Sequence, residues 1–391
     1  MTVESDASVP TTGPLDGVTV VALEQAVAAP YATRQLADLG ARVIKIERPD
    51  GGDFARGYDT SVYGDSSYFV WLNRGKESLT LDIKDPEQQR ILRRLIDDAD
   101  VFVQNLGPGS TARMGLDAAT LAQSAPRLIV CDITGYGDTG MWSDRKAYDL
   151  LVQAEAGLLS LTGTDSSVAR TGVSIADIAA GMFAYSGILT SLFVRATTGE
   201  ARSVSVSLFE ALAEWVMQPA YYGHYRGVAP PRSGARHATI APYGPFTAGD
   251  GGTVLLSVQN QREWSRLCIE IINDSTLLDD PRFSTNVDRV AHRDELESII
   301  EVAIQHMSAD DLAAKLENAG IANARMNSAE QLWNHPVLAA RDRWRSIRTP
   351  GGTIGALIPP ATLAGQPPIM GDVPALGAHT ERIIKQLRDR E

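Results

Sequence analysis

In the stretch ARTGVSIADIAAGMFAYSGILTSLF, the carboxylate of Asp177 stands at the opening of a run of small apolar residues that reads as a helix. A helix N-terminus carries partial positive charge, so a carboxylate there is held ionised, and negative charge developing on a nearby carbonyl is stabilised. An aspartate in that place is equally a helix cap, worth about 1 kcal/mol, and spacing alone leaves both readings open. Other familiar chemistry is missing. The turn after the first apolar strand, EQAVAAPYATRQL, has no G-x-G-x-x-G, no P-loop occurs, and the histidines lack metal-ligand spacing. A nicotinamide dehydrogenase and a metal centre are therefore not indicated.

The elements that must position Asp177 follow from the apolar rhythm. GVTVVALE (17–24) reads as a strand, PYATRQLADLG (30–40) as a helix opened by proline and closed by glycine, and ARVIKIER (41–48) as the next strand. SLTLDI (78–83), the helical PEQQRILRRLIDDA (86–99), VFVQN (101–105), LDAATLAQSA (116–125) and RLIVCDITGYG (127–137) continue the alternation. Strands this continuously apolar, separated by single helices, predict a doubly wound α/β domain with a mostly parallel, Rossmann-like sheet. Ligands bind such sheets at the carboxyl ends of the strands, so the loops after Glu24, Glu47 and Asn105 are where chemistry gathers. From about residue 216 the pattern becomes a smaller α+β domain. It has a hairpin at Asp250-Gly251, helices in QREWSRLCIEII, RDELESIIEVAIQHM and SADDLAAKLENAG, and a capping-box spacing at Ser308 and Asp311. The expected division is 1–215 for the first part of the large domain, 216–326 for the small one, and 327–391 for a segment returning to the large domain.

Composition narrows the partners. With 36 basic against 48 acidic side chains, the net charge of −12 repels nucleic acid and anionic lipid surfaces. Cys131 and Cys268 are the only cysteines, each in an apolar stretch, which suits a reducing cytoplasm and no disulfide framework. Met1–Pro14 is polar and acidic, reads as a short disordered arm, and has no signal-peptide pattern. The run Ile178–Val194 approaches membrane-span length, but polar residues dilute it, so a buried helix is expected.

Nearly the whole chain resembles the class III (CaiB/BaiF-type) CoA-transferase family, which also holds α-methylacyl-CoA racemases. The resemblance is carried, in order, by GARVIKIERPDGGDFAR (40–56), NRGKESLTLDIK (73–84), VFVQNLGPGSTARMGL (101–116), PRLIVCDITGYGDTG (126–140), RKAYDLLVQAEAGLLSLTG (145–163), SIADIAAG (174–181), RATTGEARSVSVSLFEAL (195–212) and APYGPF (241–246). It implies an interlocked homodimer with acyl-CoA as substrate and no permanently bound cofactor. Asp177 would be the nucleophile, ionised at its ordinary pKa of about 3.9 and needing no separate base. The aspartate would pass through a mixed anhydride and an aspartyl-CoA thioester.

The resemblance also implies a CoA site at Ala26, Val27, Arg48, Leu81, Lys84, Asn105, Leu106, Arg113 and Lys146, with the basic side chains on the CoA phosphates. Tyr148, Arg170, Arg236 and His237 are the implied contacts to the acid. The segment around His237 is similar to that of family members acting on succinyl-CoA and C4 to C5 dicarboxylates. Formate and oxalate are disfavoured, because Val27 replaces a glutamine and a polyglycine loop is absent. A racemase would need histidine where Tyr148 stands, and an unperturbed tyrosine is a poor base at neutral pH. A non-catalytic CoA-binding protein would not be expected to keep Asp177 in its motif.

Overall fold

The computed structural model describes residues 12–390, so most of the arm expected over Met1–Pro14 lies outside the described residues. The chain divides into two compact units. One comprises Met1–Gly157, Thr171–Gln218 and Leu338–Glu391, and the other Leu158–Arg170 and Pro219–Val337.

The first unit is built on a six-stranded sheet. Its strands are β1 (Thr19–Leu23), β2 (Arg42–Glu47), β3 (Lys76–Thr80), β4 (Val101–Gln104), β5 (Ile129–Thr134) and β8 (Val204–Ser207). They run in the order β3-β2-β1-β4-β5-β8, and every pairing is parallel. The order reverses between β1 and β4, which opens a crevice at the carboxyl ends of these strands. The short strands β6 (Gly163–Thr164) and β7 (Ser167–Val168) belong to the second unit.

Side chains alternate across the strands, so both faces need cover. On one face Val21, Leu23, Ile44, Ile46, Phe102 and Val130 pack with Leu92, Ile96, Ile383 and Leu387. The last two come from the C-terminal helix Thr380–Arg388, which also seals the edge of the sheet. Ser78 donates its N–H to His379 Nδ1 at 3.1 Å, and Thr80 donates to Thr380 Oγ1 at 3.0 Å. An open strand edge is thereby satisfied. The strand read over 78–83 begins at Lys76 instead. The Lys76 side chain is wholly buried and ion-paired, a partnership that apolar patterning does not register.

Helices α1 (Ala28–Asp38), α2 (Ser67–Asn73), α3 (Pro86–Asp97), α4 (Ser110–Arg113), α5 (Ala118–Ser124), α6 (Asp149–Glu155), α7 (Ile175–Thr198) and α8 (Leu208–Arg226) follow in chain order. The helix α1 ends at Gly40, whose φ of 96° is the left-handed stop that glycine supplies. The apolar run expected as a buried helix is α7, which is long and apolar enough to cross a membrane. It packs on α1, β5 and β8 through Ala176, Ala180, Ala184 and Ile188, while Met182, Phe183 and Phe193 on its other side are exposed. Burial therefore holds for one face only.

The second unit carries the expected hairpin, β9 (Tyr243–Thr247) with β10 (Thr253–Ser257), turning through Gly251 at φ 83°. Strand β11 (Ala322–Arg325) joins β10 antiparallel, and Trp264, Leu267, Ile300 and Leu312 from the surrounding helices fill the core beside Phe246 and Leu256. The helix read over 261–272 is α-helical at Gln261–Arg266 and widens to a π-helix over Leu267–Ile272.

Candidate active site

Asp177 is the third residue of α7 and does not cap it. Ser174 is the N-cap and makes no side-chain cap bond. The cap comes from Asp149, the first residue of α6, whose Oδ1 accepts from the N–H of Ala176 at 2.7 Å and of Asp177 at 3.3 Å. Gln153 Nε2 donates to the other oxygen of Asp149 at 2.6 Å. The anion site at the start of α7 is thus filled by a second carboxylate.

This changes the chemistry of Asp177. Burial, then the negative charge of Asp149, push its pKa from 3.8 up to about 7. The expectation of an ordinary, fully ionised aspartate is corrected accordingly: near neutral pH the group sits at its midpoint. A raised pKa also makes the carboxylate more basic and a stronger nucleophile once ionised.

One helical turn beyond Asp177, on the same face, is Gly181. A Cβ added there would lie 2.6 Å from the carbonyl oxygen of Ala28 and 3.1 Å from Tyr31, so α7 meets the first turn of α1 at a point only glycine permits. Asp177 therefore lies one helical turn from the contact between α7 and the start of α1. The N-cap of α1, Val27, supplies no side-chain acceptor, which leaves the opening of the helix without a cap. Tyr58 belongs to the same neighbourhood. Burial, then the charges of Asp53 and Asp177 and the phenol of Tyr148, push its pKa to about 12, so it stays a neutral donor.

A cleft of about 400 Å³ lies at the carboxyl ends of the strands, where the sheet topology placed it. Arg48, Leu81, Lys84 and Leu106 of the implied CoA positions line it together. Arg48 donates through Nε and Nη2 to the Gly52 carbonyl at 3.2 and 3.0 Å, and Lys84 is exposed at the rim. Asn105 stands beside it and clamps Gln25 from both sides, accepting its N–H and donating to its carbonyl, each at 2.8 Å. Ala26 and Val27 form the loop leading into α1. Arg113, bonded to Ser110 Oγ, and Lys146 are exposed and do not line this cleft.

Tyr148 precedes α6 and is 67% exposed, with no cap bond to the helix. Arg170, Arg236 and His237 belong to the second unit. Arg170 is exposed. The guanidinium of Arg236 is already engaged by Glu297 at 2.6 Å, and His237 stacks on Tyr243 with ring centroids 5.2 Å apart. Sequence reasoning missed Asp149 and Tyr58. Asp149 had a signal, an acidic residue opening the apolar run DLLVQA, but its partner lies 28 residues on. Tyr58 had none beyond its place after the PDGGDFARG segment.

The family model for CoA-transferase family III matches residues 15–380. The succinate–glutarate CoA-transferase of Agrobacterium fabrum is 32% identical over 388 residues, covering 97% of this chain and 96% of its own. The acetyl-CoA:oxalate CoA-transferase of Acetobacter aceti is 36% identical over 332 residues, covering 84% and 85%. The crystal structure of a CAIB/BAIF family protein from Brucella suis superimposes with a TM-score of 0.85 at 32% identity, covering 96% of this chain and 100% of that one.

Proposed function

The chain belongs to CoA-transferase family III, and from that premise we propose that it moves CoA from a short acyl-CoA, succinyl-CoA foremost, to a C4 to C5 dicarboxylic acid through covalent intermediates on Asp177. The observation that carries the residue assignment is the partly buried Asp177 at the start of α7, its pKa raised to about 7. The Agrobacterium relative is named for succinate and glutarate, a C4 and a C5 dicarboxylate, which supports an acceptor of that length.

The ionised Asp177 attacks the acyl-CoA carbonyl, forms a mixed anhydride and expels CoA thiolate. The thiolate then attacks the aspartyl carbonyl, releasing the donor acid and leaving an aspartyl-CoA thioester. The acceptor carboxylate attacks that thioester, giving a second anhydride and thiolate. Attack of the thiolate on the acceptor's carbonyl yields the new acyl-CoA and frees Asp177. Because Asp149 occupies the amides of α7, the uncapped first turn of α1 is the proposed source of N–H donors for each oxyanion. Arg48, Lys84, Arg113 and Lys146 take the CoA phosphates, Leu81 and Leu106 its apolar parts, and Ala26, Val27 and Asn105 shape the entry. Tyr148 and Tyr58 offer hydroxyls to the acyl group. No step needs a resident cofactor.

Incubation with succinyl-CoA followed by intact-protein mass spectrometry should add the mass of one CoA less one water to the wild type and nothing to Asp177→Ala. A panel of dicarboxylic acids should then identify glutarate or a relative as the acceptor. Deuterium wash-in at an α-carbon with no adduct would replace this reading with a racemase.

The enzyme is expected to work as an interlocked homodimer in the cytoplasm, where the reducing environment suits the buried thiols of Cys131 and Cys268. A second copy would cover Met182, Phe183 and Phe193 on the open face of α7. Sedimentation equilibrium at micromolar concentration should return twice the chain mass; the mass of a single chain would exclude the dimer.

A further inference from the structure

Beneath the loop between β1 and α1, four charged side chains, Glu24, Lys45, Asp53 and Lys76, are each no more than 3% exposed. Glu24 Oε1 accepts from Lys76 Nζ at 2.6 Å and from Lys45 Nζ at 3.3 Å, while its Oε2 accepts from Thr33 Oγ1 at 2.6 Å. Lys76 spends its remaining donors on the Pro30 carbonyl and Asn73 Oδ1, both at 3.1 Å. Lys45 also donates to Asp53 Oδ2 at 2.8 Å. The other oxygen of Asp53 accepts from the N–H of Ala26 at 3.1 Å and of Ala55 at 2.9 Å.

Stability is a weak reason for such a cluster. Each buried ion costs several kcal/mol in lost hydration, and apolar side chains of the same volume would hold strands and helix together at least as well. What apolar side chains cannot do is accept the Ala26 N–H. Ala26 has φ 60°, a left-handed conformation that carries a penalty for any residue with a Cβ. Asp53 holds it from below, and the Asn105 clamp on Gln25 holds the neighbouring peptide. Two residues on, Ala28 opens α1 and carries the carbonyl that meets Gly181, one turn from Asp177.

We propose that the Glu24–Lys45–Asp53 relay, anchored by Lys76, is a positioning device for CoA transfer: it fixes Ala26 in its left-handed conformation and so sets the first amides of α1 against the carbonyl that Asp177 attacks. The inference rests on Asp177 being the nucleophile. Glu24 and Asp53 also border the cleft at the strand ends, but their carboxylate oxygens are taken up by Lys45, Lys76, Thr33 and the loop amides. Their action is on the loop, and a displacement of about 1 Å in such a donor is enough to cost on the order of 100-fold in rate.

Asp53→Asn tests it with little change of shape. In the wild type both oxygens of Asp53 accept, so an amide must fail either Lys45 or the pair Ala26 and Ala55. Turnover is expected to fall about 100-fold, with KM for acyl-CoA within about twofold of wild type, because binding groups on Arg48 and Lys84 are untouched. Adding Ala26→Gly to that variant should recover about tenfold, since glycine enters the left-handed region without the Cβ penalty. A melting temperature lowered with turnover unchanged would overturn the proposal and leave the relay a purely structural cluster. So would a fall in turnover that Ala26→Gly does not relieve. Wild-type enzyme assayed in parallel separates the two readings. If it forms no CoA adduct on Asp177, the nucleophile assignment fails and the relay falls with it. If it forms the adduct and Asp53→Asn turns over at the wild-type rate, the relay alone fails.

Discussion

Asp177→Asn should abolish CoA transfer, by a factor on the order of 10⁴ or more, and at the same time make the protein more stable at pH 8. The first effect follows from removing the only atoms proposed to bond the acyl group. The second follows from linkage. In the folded chain, burial and the neighbouring Asp149 raise the pKa of Asp177 from 3.8 to about 7. The folded state therefore binds the proton more tightly than the unfolded state between those values. Stability falls as pH rises through that window, and ionised Asp177 at pH 8 costs the fold at most about 4 kcal/mol. An asparagine carries no such cost. Urea denaturation of wild type and variant at pH 5 and pH 8 should give a gap that widens with pH in favour of the variant. A variant that is less stable at pH 8 would show that the carboxylate is satisfied by its surroundings and is not held under electrostatic load.

This load was not legible in the sequence, whereas its location was. The alternation of GVTVVALE, PYATRQLADLG and ARVIKIER gave β1, α1 and β2 to within a few residues, because apolar periodicity and glycine or proline at the ends are local signals. The crevice at the strand ends followed from the parallel order. Strand β8 was not read, since Val204–Ser207 is short and alternates valine with serine, a pattern that resembles a loop as much as an edge strand. The pKa of Asp177 depends on a carboxylate 28 residues earlier on another helix, and the relay under Ala26 joins residues from positions 24 to 76. Pairings of that range exist only once the sheet has formed. Lys45 and Lys76, which a surface rule places in solvent, are core residues here because Lys45 finds Glu24 and Asp53 beside it and Lys76 finds Glu24.

Asp149→Asn separates charge from geometry at the same site. The asparagine oxygen can still accept the N–H groups of Ala176 and Asp177, so α7 keeps its cap, while the negative charge beside Asp177 disappears. Burial is the larger cause of the raised pKa and Asp149 the second, so the shift should relax in part and not in full. Attack requires the ionised carboxylate, and the acid limb of kcat/KM for acyl-CoA should be centred at about 7 in the wild type. In the variant that limb should move to lower pH, by on the order of one unit. Above pH 8 Asp177 is ionised in both proteins. The less basic carboxylate of the variant should then react a few-fold more slowly, because nucleophilicity falls with basicity. Asp149→Ala should produce the same displacement of the limb and, by leaving the α7 amides unsatisfied, an additional loss of about 1 kcal/mol in stability. An acid limb that stays at the same pH in both variants would assign it to a group other than Asp177. Asp149 would then have no electrostatic part in the limb, and its demonstrated role would shrink to that of a cap. A limb that moves with either substitution makes the pair of carboxylates the unit that sets when this enzyme can attack its thioester.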